Sequence, residues 1–227
     1  MDRIQGRPLL GLAAIFALSL VVATTLPDFP VGTLAFAQTI VDEWATVKAP
    51  PPPELKPVTI GNPKETALLM LDFVKQICSP QLIPRCVASL PKVQGLLKEA
   101  RAKGVHVIYS IAGGTSVADI WPEVAPLPGE PVVQSVADKF FRTDLEKILN
   151  DRGVKTVIMV GTAAQGAVLY TASQAAWRGL KVIVPVDGMS SEDPYIEQYV
   201  VQQFVGAVAT RILRGAVTVT KLSLIRY

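Results

Sequence analysis

Histidine occurs once in the 227 residues, cysteine twice, and aromatic side chains make up only 7%. A lone histidine, His106, excludes metal centres built on clustered imidazoles. It lies mid-strand between Val105 and Val107, so it reads as structural rather than as a member of a Ser-His-Asp triad. Neither a metal nor any other cofactor is expected. Basic runs with interleaved aromatics are missing, and part of the formal charge of +3 sits at Arg3 and Arg7. Nucleic acid is therefore not an expected partner. There is no self-similarity at solenoid periods, and the one Gly-rich turn is not G-x-G-x-x-G, which removes a dinucleotide fingerprint. What is present is a chain that is 50% hydrophobic, long enough for one well-buried aliphatic domain.

The N-terminus reads as an export signal, residues 1–37. Arg3 and Arg7 precede an apolar run over 9–23, shorter than the roughly 20 residues that span a bilayer, and Ala35-Phe36-Ala37 offers an A-x-A cleavage pattern before Gln38. The alternative is an uncleaved anchor, since the run can be extended to Leu26. Either way the folded part is expected outside the cytoplasm, periplasmic or secreted, touching membrane only through this segment. Cys78 and Cys86 fit that compartment: an even pair at short spacing predicts a disulfide, with a free thiol near the site as the competing reading. Residues 38–60, with prolines at 50–53, read as an extended tether, and 61–227 as the domain.

Beyond the tether, strand and helix patterns alternate. Residues 66–73 (TALLMLDF), 105–112 (VHVIYSIA), 156–160 (TVIMV) and 181–186 (KVIVPV) are short apolar runs bounded by turn signals, the mark of buried parallel strands. Helical spacing covers 86–103, 144–152, 167–178 and 194–213, with Thr143 and Glu146 placed as a capping box. Residues 217–225 predict a last strand. The fold class is α/β, a Rossmann-like parallel sheet with helices on both faces. Ligands of such sheets sit beyond the carboxyl ends of the strands, where Asp72, the 161–166 turn and Asp187 all fall.

Asp72 ends an apolar strand, where a carboxylate is costly unless paired or used. It is either a proton acceptor or ligand anchor, or a cap for loop N–H groups. The turn Gly161-Thr162-Ala163-Ala164-Gln165-Gly166 lets backbone approach a ligand at a helix N-terminus; Ala163, Gln165 and Gly166 are the candidate ligand-binding residues, and a tight packing turn is the alternative. Arg85 faces either an anionic ligand or solvent. Trp121, in the long loop 113–131, is either a lid or interface anchor, or a plug over the core.

Three stretches together resemble the isochorismatase-like (cysteine hydrolase) family. They are TALLMLDFVKQ over 66–76, FFRTDLEKILNDRGVKTVIMVG over 140–161, and GTAAQGAVLYTASQAAWRGLKVIVPVD over 161–187. The resemblance spans about residues 66–213. It implies a Rossmann-like sheet, an Asp–Lys–Cys catalytic triad acting on small amides or, in isochorismatases proper, an enol ether, and a homo-oligomer. Asp72 matches the family's aspartate. The family's lysine falls on Lys139 or, by strict spacing, on Gln134. The nucleophilic cysteine falls on Ala167, and a methyl group is no nucleophile. Gln165 stands where the family usually has aspartate, and the paired histidines that some amidase members use for a metal are missing. The expected function is therefore that of an exported family member binding a small carbonyl or carboxylate compound without a thiol; the alternative is a hydrolase that uses Asp72 without a covalent intermediate.

Overall fold

The computed structural model describes residues 39–206 and 209–227; the signal-segment expectation for residues 1–37 lies outside the described residues. Among the described residues, no helix is long and apolar enough to cross a membrane. The chain divides into two compact units, Met1–Lys48 and Ala49–Tyr227. The described part of the first is a short helix, α1 (Ile40–Glu43), followed by one 3-10 turn. Thr39 begins α1, its hydroxyl and backbone N–H both donating to Asp42 at 2.8 Å.

The second unit starts earlier than the sequence suggests, so the latter half of the segment read as a tether belongs to it. Leu55 packs on the core. The Lys56 carbonyl accepts from the Thr220 hydroxyl at 2.7 Å. β1 (Val58–Thr59) then pairs in parallel with the chain's last strand, β9 (Ile225–Arg226).

The main sheet is wholly parallel. Its strands are β2 (Thr66–Leu71), β3 (His106–Ala112), β4 (Val132–Ser135), β5 (Thr156–Thr162), β6 (Lys181–Pro185), β7 (Met189–Ser190) and β8 (Val217–Thr220). They are ordered β4-β3-β2-β5-β6-β8, with β7 beside the end of β5. All residues of β2 are buried, because a central parallel strand is covered on both faces and needs no polar alternation. Successive side chains still sort by face. Ala67, Leu69 and Leu71 join Val157 and Met159 in one core layer, while Leu68 and Met70 join Ile158 and Val160 in the other. α2 (Pro84–Ala102) covers the second layer through Leu90, Val93 and Leu97. The first is covered by α3 (Leu145–Asp151), α4 (Leu169–Trp177), α5 (Pro194–Val205) and α6 (Arg211–Ala216), through Leu145, Ala172, Phe204 and Leu213.

Strands β1, β4 and β7 have no counterpart in the sequence reading, and three expected elements take a different form. Thr143 sits one residue before the cap position of α3, which is Asp144 and makes no side-chain cap bond. The Thr143 hydroxyl donates to the Lys139 carbonyl while its oxygen accepts from the Leu145 N–H at 3.2 Å, and Glu146, expected to close a capping box, instead takes Arg178 at 2.9 Å. The helix expected over 194–213 stops at Val205, where Gly206 turns extended with ψ 177°. A separate helix, α6, restarts behind Thr210, whose hydroxyl accepts from the Leu213 N–H. Glycine's low helix propensity lets the chain break there. The strand expected over 217–225 is two strands joined by a 3-10 turn, Leu222–Leu224. Asp187 accepts from the Leu222 N–H at 2.8 Å, anchoring the chain where it leaves the sheet.

Cys78 and Cys86 are joined in a disulfide across a sequence separation of 8, and both are fully buried. Trp121 closes over this segment: its indole N–H donates to the Cys78 carbonyl at 2.7 Å, and its backbone N–H donates to the Phe73 carbonyl at 3.1 Å. The long loop is thus a plug pinned to the exit of β2. Replacing both cysteines by serine is expected to lower stability by roughly 2–3 kcal/mol through regained unfolded-chain entropy. Urea denaturation reads this as a lower midpoint at similar slope; an unchanged midpoint would show that the bridge adds nothing.

Candidate functional site

From β2 the chain moves outward to β3 and β4, then returns to β5 on the other side of β2. The carboxyl ends of β2 and β5 therefore flank the topological switch point, where open parallel sheets hold ligands. Asp72 is the first residue after β2. Its φ is +55°, a left-handed conformation that aspartate tolerates better than most residues. Oδ1 accepts from the Ser110 hydroxyl at 2.8 Å, and Oδ2 accepts from Lys139 Nζ at 2.6 Å. Ser110 arrives from β3, where it pairs in register with Leu71.

Lys139 is fully buried. Its ammonium also donates to the Val136 carbonyl at 2.7 Å and lies 3.4 Å from the Ser135 carbonyl, so three acceptors surround its three N–H groups. Its backbone is gripped as well. The Lys139 N–H donates to Thr171 Oγ1 on α4 at 3.1 Å, and its carbonyl accepts from the Thr143 hydroxyl. Burial pushes the Asp72 carboxyl above its ordinary range, while the Lys139 ammonium and the Ser110 hydroxyl pull it back. Gln134, the other position considered for the lysine, lies elsewhere: its amide donates to the carbonyls of Ala112 and Thr115 at 3.2 and 3.0 Å.

The second wall is the turn after β5. Gly161 has φ +146°, and a Cβ built on it would lie 2.1 Å from the Leu71 carbonyl oxygen; only glycine fits. The Thr162–Ala163 peptide is cis. Ala164–Val168 forms one π-type turn that feeds α4. Ala167 is buried in the same core layer as Leu71 and Phe140. A Cβ on Gly166 would be in contact with Ala137, at 3.9 Å, so this turn packs against the segment that carries Lys139. Gln165 is tied to the chain after β7: its amide oxygen accepts from the Ser191 hydroxyl at 2.8 Å, and its nitrogen lies 3.3 Å from both Glu192 oxygens. The Ser191 hydroxyl holds the Glu192 carboxyl below its usual range.

Other candidates are engaged in structure. Arg85 makes a two-point ion pair with Glu197 at 2.8 and 2.6 Å. Asp187 anchors Leu222. His106 Nε2 lies 3.1 Å from the Lys64 carbonyl. Among the described residues, no three His, Cys, Asp or Glu side chains converge so as to hold a metal ion. Ser110 and Thr171 carry no motif of their own in the sequence; both are buried hydroxyls within apolar stretches, and that is the signal by which sequence points to them.

The site thus offers a buried carboxylate–ammonium pair, a hydroxyl, and a turn of small residues leading into a helix. The sequence and the fold are similar to those of known proteins. The family model of the isochorismatase domain matches residues 66–213. The chain is 32% identical over 149 residues to the secreted isochorismatase effector Isc1 of Verticillium dahliae, covering 60% of this chain and 78% of that protein. It is 29% identical over 153 residues to a maleamate amidohydrolase of Pseudomonas putida, covering 55% and 72%. In three dimensions it resembles an isochorismatase family protein of Desulfovibrio vulgaris with a TM-score of 0.62 at 21% identity, over 70% of this chain and 95% of that one; at that identity the likeness establishes the fold. With the family match spanning well over half of its length, the chain belongs to the isochorismatase family.

Proposed function

We propose that the protein is an exported, non-thiol member of its family that binds a small carbonyl or carboxylate compound beside Asp72 and the turn of Ala163, Gln165 and Gly166. The observation that carries this reading is that the chain has two cysteines, and both are joined in the Cys78–Cys86 bridge. No thiolate is left to attack a carbonyl, and Ala167 occupies the position that the resemblance gives to the nucleophile. The buried Asp72–Lys139 pair and the helix-entry turn remain, and backbone N–H groups at such a turn suit a carboxylate or a polarised carbonyl oxygen.

Export is supported by the A-x-A pattern ending at Ala37, by the disulfide, and by the secreted relative. Mass spectrometry of the protein recovered outside the cytoplasm is expected to give a mature chain beginning at Gln38. Self-association belongs to the same proposal: α4 carries exposed Tyr170 and Trp177, and light scattering on the mature chain reads the subunit number.

The functional test is a screen of purified protein against maleamate, small amides, ureas and enol ethers. Saturable thermal stabilisation by a carbonyl or carboxylate compound is expected, with no turnover and no covalent adduct in the intact mass. A second reading, a hydrolase in which Asp72 activates water without a covalent step, is favoured by the upward shift of its carboxyl, which suits a proton acceptor. Turnover that disappears in an Asp72→Asn variant would establish that second reading and overturn the first.

A further inference from the structure

Polar groups converge a second time, on the α2 side of the sheet. A cavity of about 220 Å³ lies among α2, the end of β6, β7 and α5, with Arg85, Ser89, Lys92, Asp187, Ser190 and Glu197 in its lining. Arg85, Ser89 and Lys92 share one face of α2 by their i, i+4, i+7 spacing. Their partners leave capacity unused. Arg85 gives Nε and one terminal nitrogen to Glu197, so its other terminal nitrogen is a spare donor. Lys92 Nζ stands 3.7 Å from Asp187 Oδ2, beyond hydrogen-bonding distance, while the other Asp187 oxygen is taken by the Leu222 N–H. Ser190 is 2% exposed, and its hydroxyl has no hydrogen-bond partner. A buried orphan hydroxyl is uncommon in folded proteins and calls for a partner that completes it.

We infer that this cavity binds a small zwitterion of amino-acid size. The lining carries two cations and two anions, so neither sign of ligand is favoured by net charge alone. A simple anion would face the spare Asp187 oxygen, and a simple cation would face the Lys92 ammonium. A molecule with both charges satisfies both, its carboxylate taken by the Arg85 side and the Ser190 hydroxyl and its ammonium by Asp187. The groove of about 220 Å³ has room for about seven waters at roughly 30 Å³ each, enough for a molecule of a few carbons.

The test is an NMR titration of the whole chain with L-alanine and β-alanine, against propionate and propylammonium at the same ionic strength. Saturable shifts of the Met189 and Ser190 amides are expected with the zwitterions, and binding about tenfold weaker or more with either singly charged probe. Ser190→Ala removes only an unpartnered hydroxyl, so its stability is expected to hold while zwitterion binding falls about tenfold; Asp187→Asn, which keeps the acceptor for Leu222, is expected to weaken binding similarly. Saturating maleamate is expected to leave the affinity for the zwitterion unchanged, so this outcome is independent of the ligand beside Asp72. Equal response to propionate or propylammonium, unchanged binding in Ser190→Ala, or no saturable shift with either zwitterion would overturn the inference.

Discussion

Replacing Lys139 by methionine is expected to lower stability by about 3–5 kcal/mol, because the buried Asp72 carboxylate then loses its counter-charge. The ammonium is the 2.6 Å partner of Oδ2, which leaves only the Ser110 hydroxyl to offset burial on the variant's carboxylate. A double variant, Asp72→Asn with Lys139→Met, is expected to recover most of the loss, since neither buried charge remains. The single-variant penalty also depends on pH, and its sign follows from the direction of the shift. Burial already raises the folded-state pKa of Asp72, and without the ammonium it rises further. A raised carboxyl contributes stability that is fully present below the unfolded-state pKa and is lost as pH rises through the folded value. The Lys139→Met deficit should therefore shrink as pH falls from about 7.5 to about 5. Urea denaturation of the wild type and the two variants at both pH values measures all of this. A Lys139→Met protein as stable as the wild type at neutral pH would mean that the pair is not buried as described.

Gly161→Ala is expected to be at least as damaging, at about 4 kcal/mol or more, enough to prevent folding of most domains. The new Cβ would meet the Leu71 carbonyl oxygen at 2.1 Å and Leu71 Cβ at 2.6 Å. Both belong to β2, the central strand that pairs with β5 in register Leu71↔Gly161, so neither atom can yield without shifting the sheet. Gly153→Ala is the control. That residue also has positive φ, +62°, but a Cβ there meets nothing within 4 Å, so only the backbone conformational penalty of about 1–2 kcal/mol applies. Thermal melts followed by circular dichroism compare the two. Equal midpoints would show that the close approach of β5 to β2 is not rigid.

The two variants probe parts of the molecule that differ in how far sequence could foresee them. β2 was legible because a central parallel strand carries an unbroken apolar run, and Asp72 was legible because it interrupts that run at the strand's end. The partner of Asp72 was not. Gln134 lies in the short edge strand β4 and Lys139 on the connection from β4 to α3, whose path follows no period; contacts from Thr143, Thr171 and Val136 hold the Lys139 side chain inward. Thr143 shows how a local signal is only half realised: Thr-x-x-Glu is a sound capping pattern, and the hydroxyl oxygen accepts from the Leu145 N–H, but Glu146 is drawn to Arg178 and does not close the box. The break at Gly206 failed for the opposite reason, since one glycine is compatible with a continuing helix and only the surrounding packing reveals the stop. The proline-rich stretch read as a spacer because composition reports stiffness and says nothing of docking; the Pro50 and Pro51 carbonyls in fact accept from Gln198 and Gln202 at 3.3 and 3.4 Å.

The most direct test of the proposal that the site keeps its aspartate and lysine without a nucleophile is the reactivity of a sulfur placed at position 167. The native chain has no free cysteine, so an Ala167→Cys variant carries one reactive thiol against a blank background. Its iodoacetamide labelling rate across pH, followed by mass spectrometry, reads the thiol's pKa. If residue 167 takes the place that the family resemblance gives it, near the Lys139 ammonium and just ahead of α4, the thiol is expected to titrate below the ordinary value of about 8.5. A thiol that titrates at or above that value would contradict the placement of residue 167 against the Asp72–Lys139 pair.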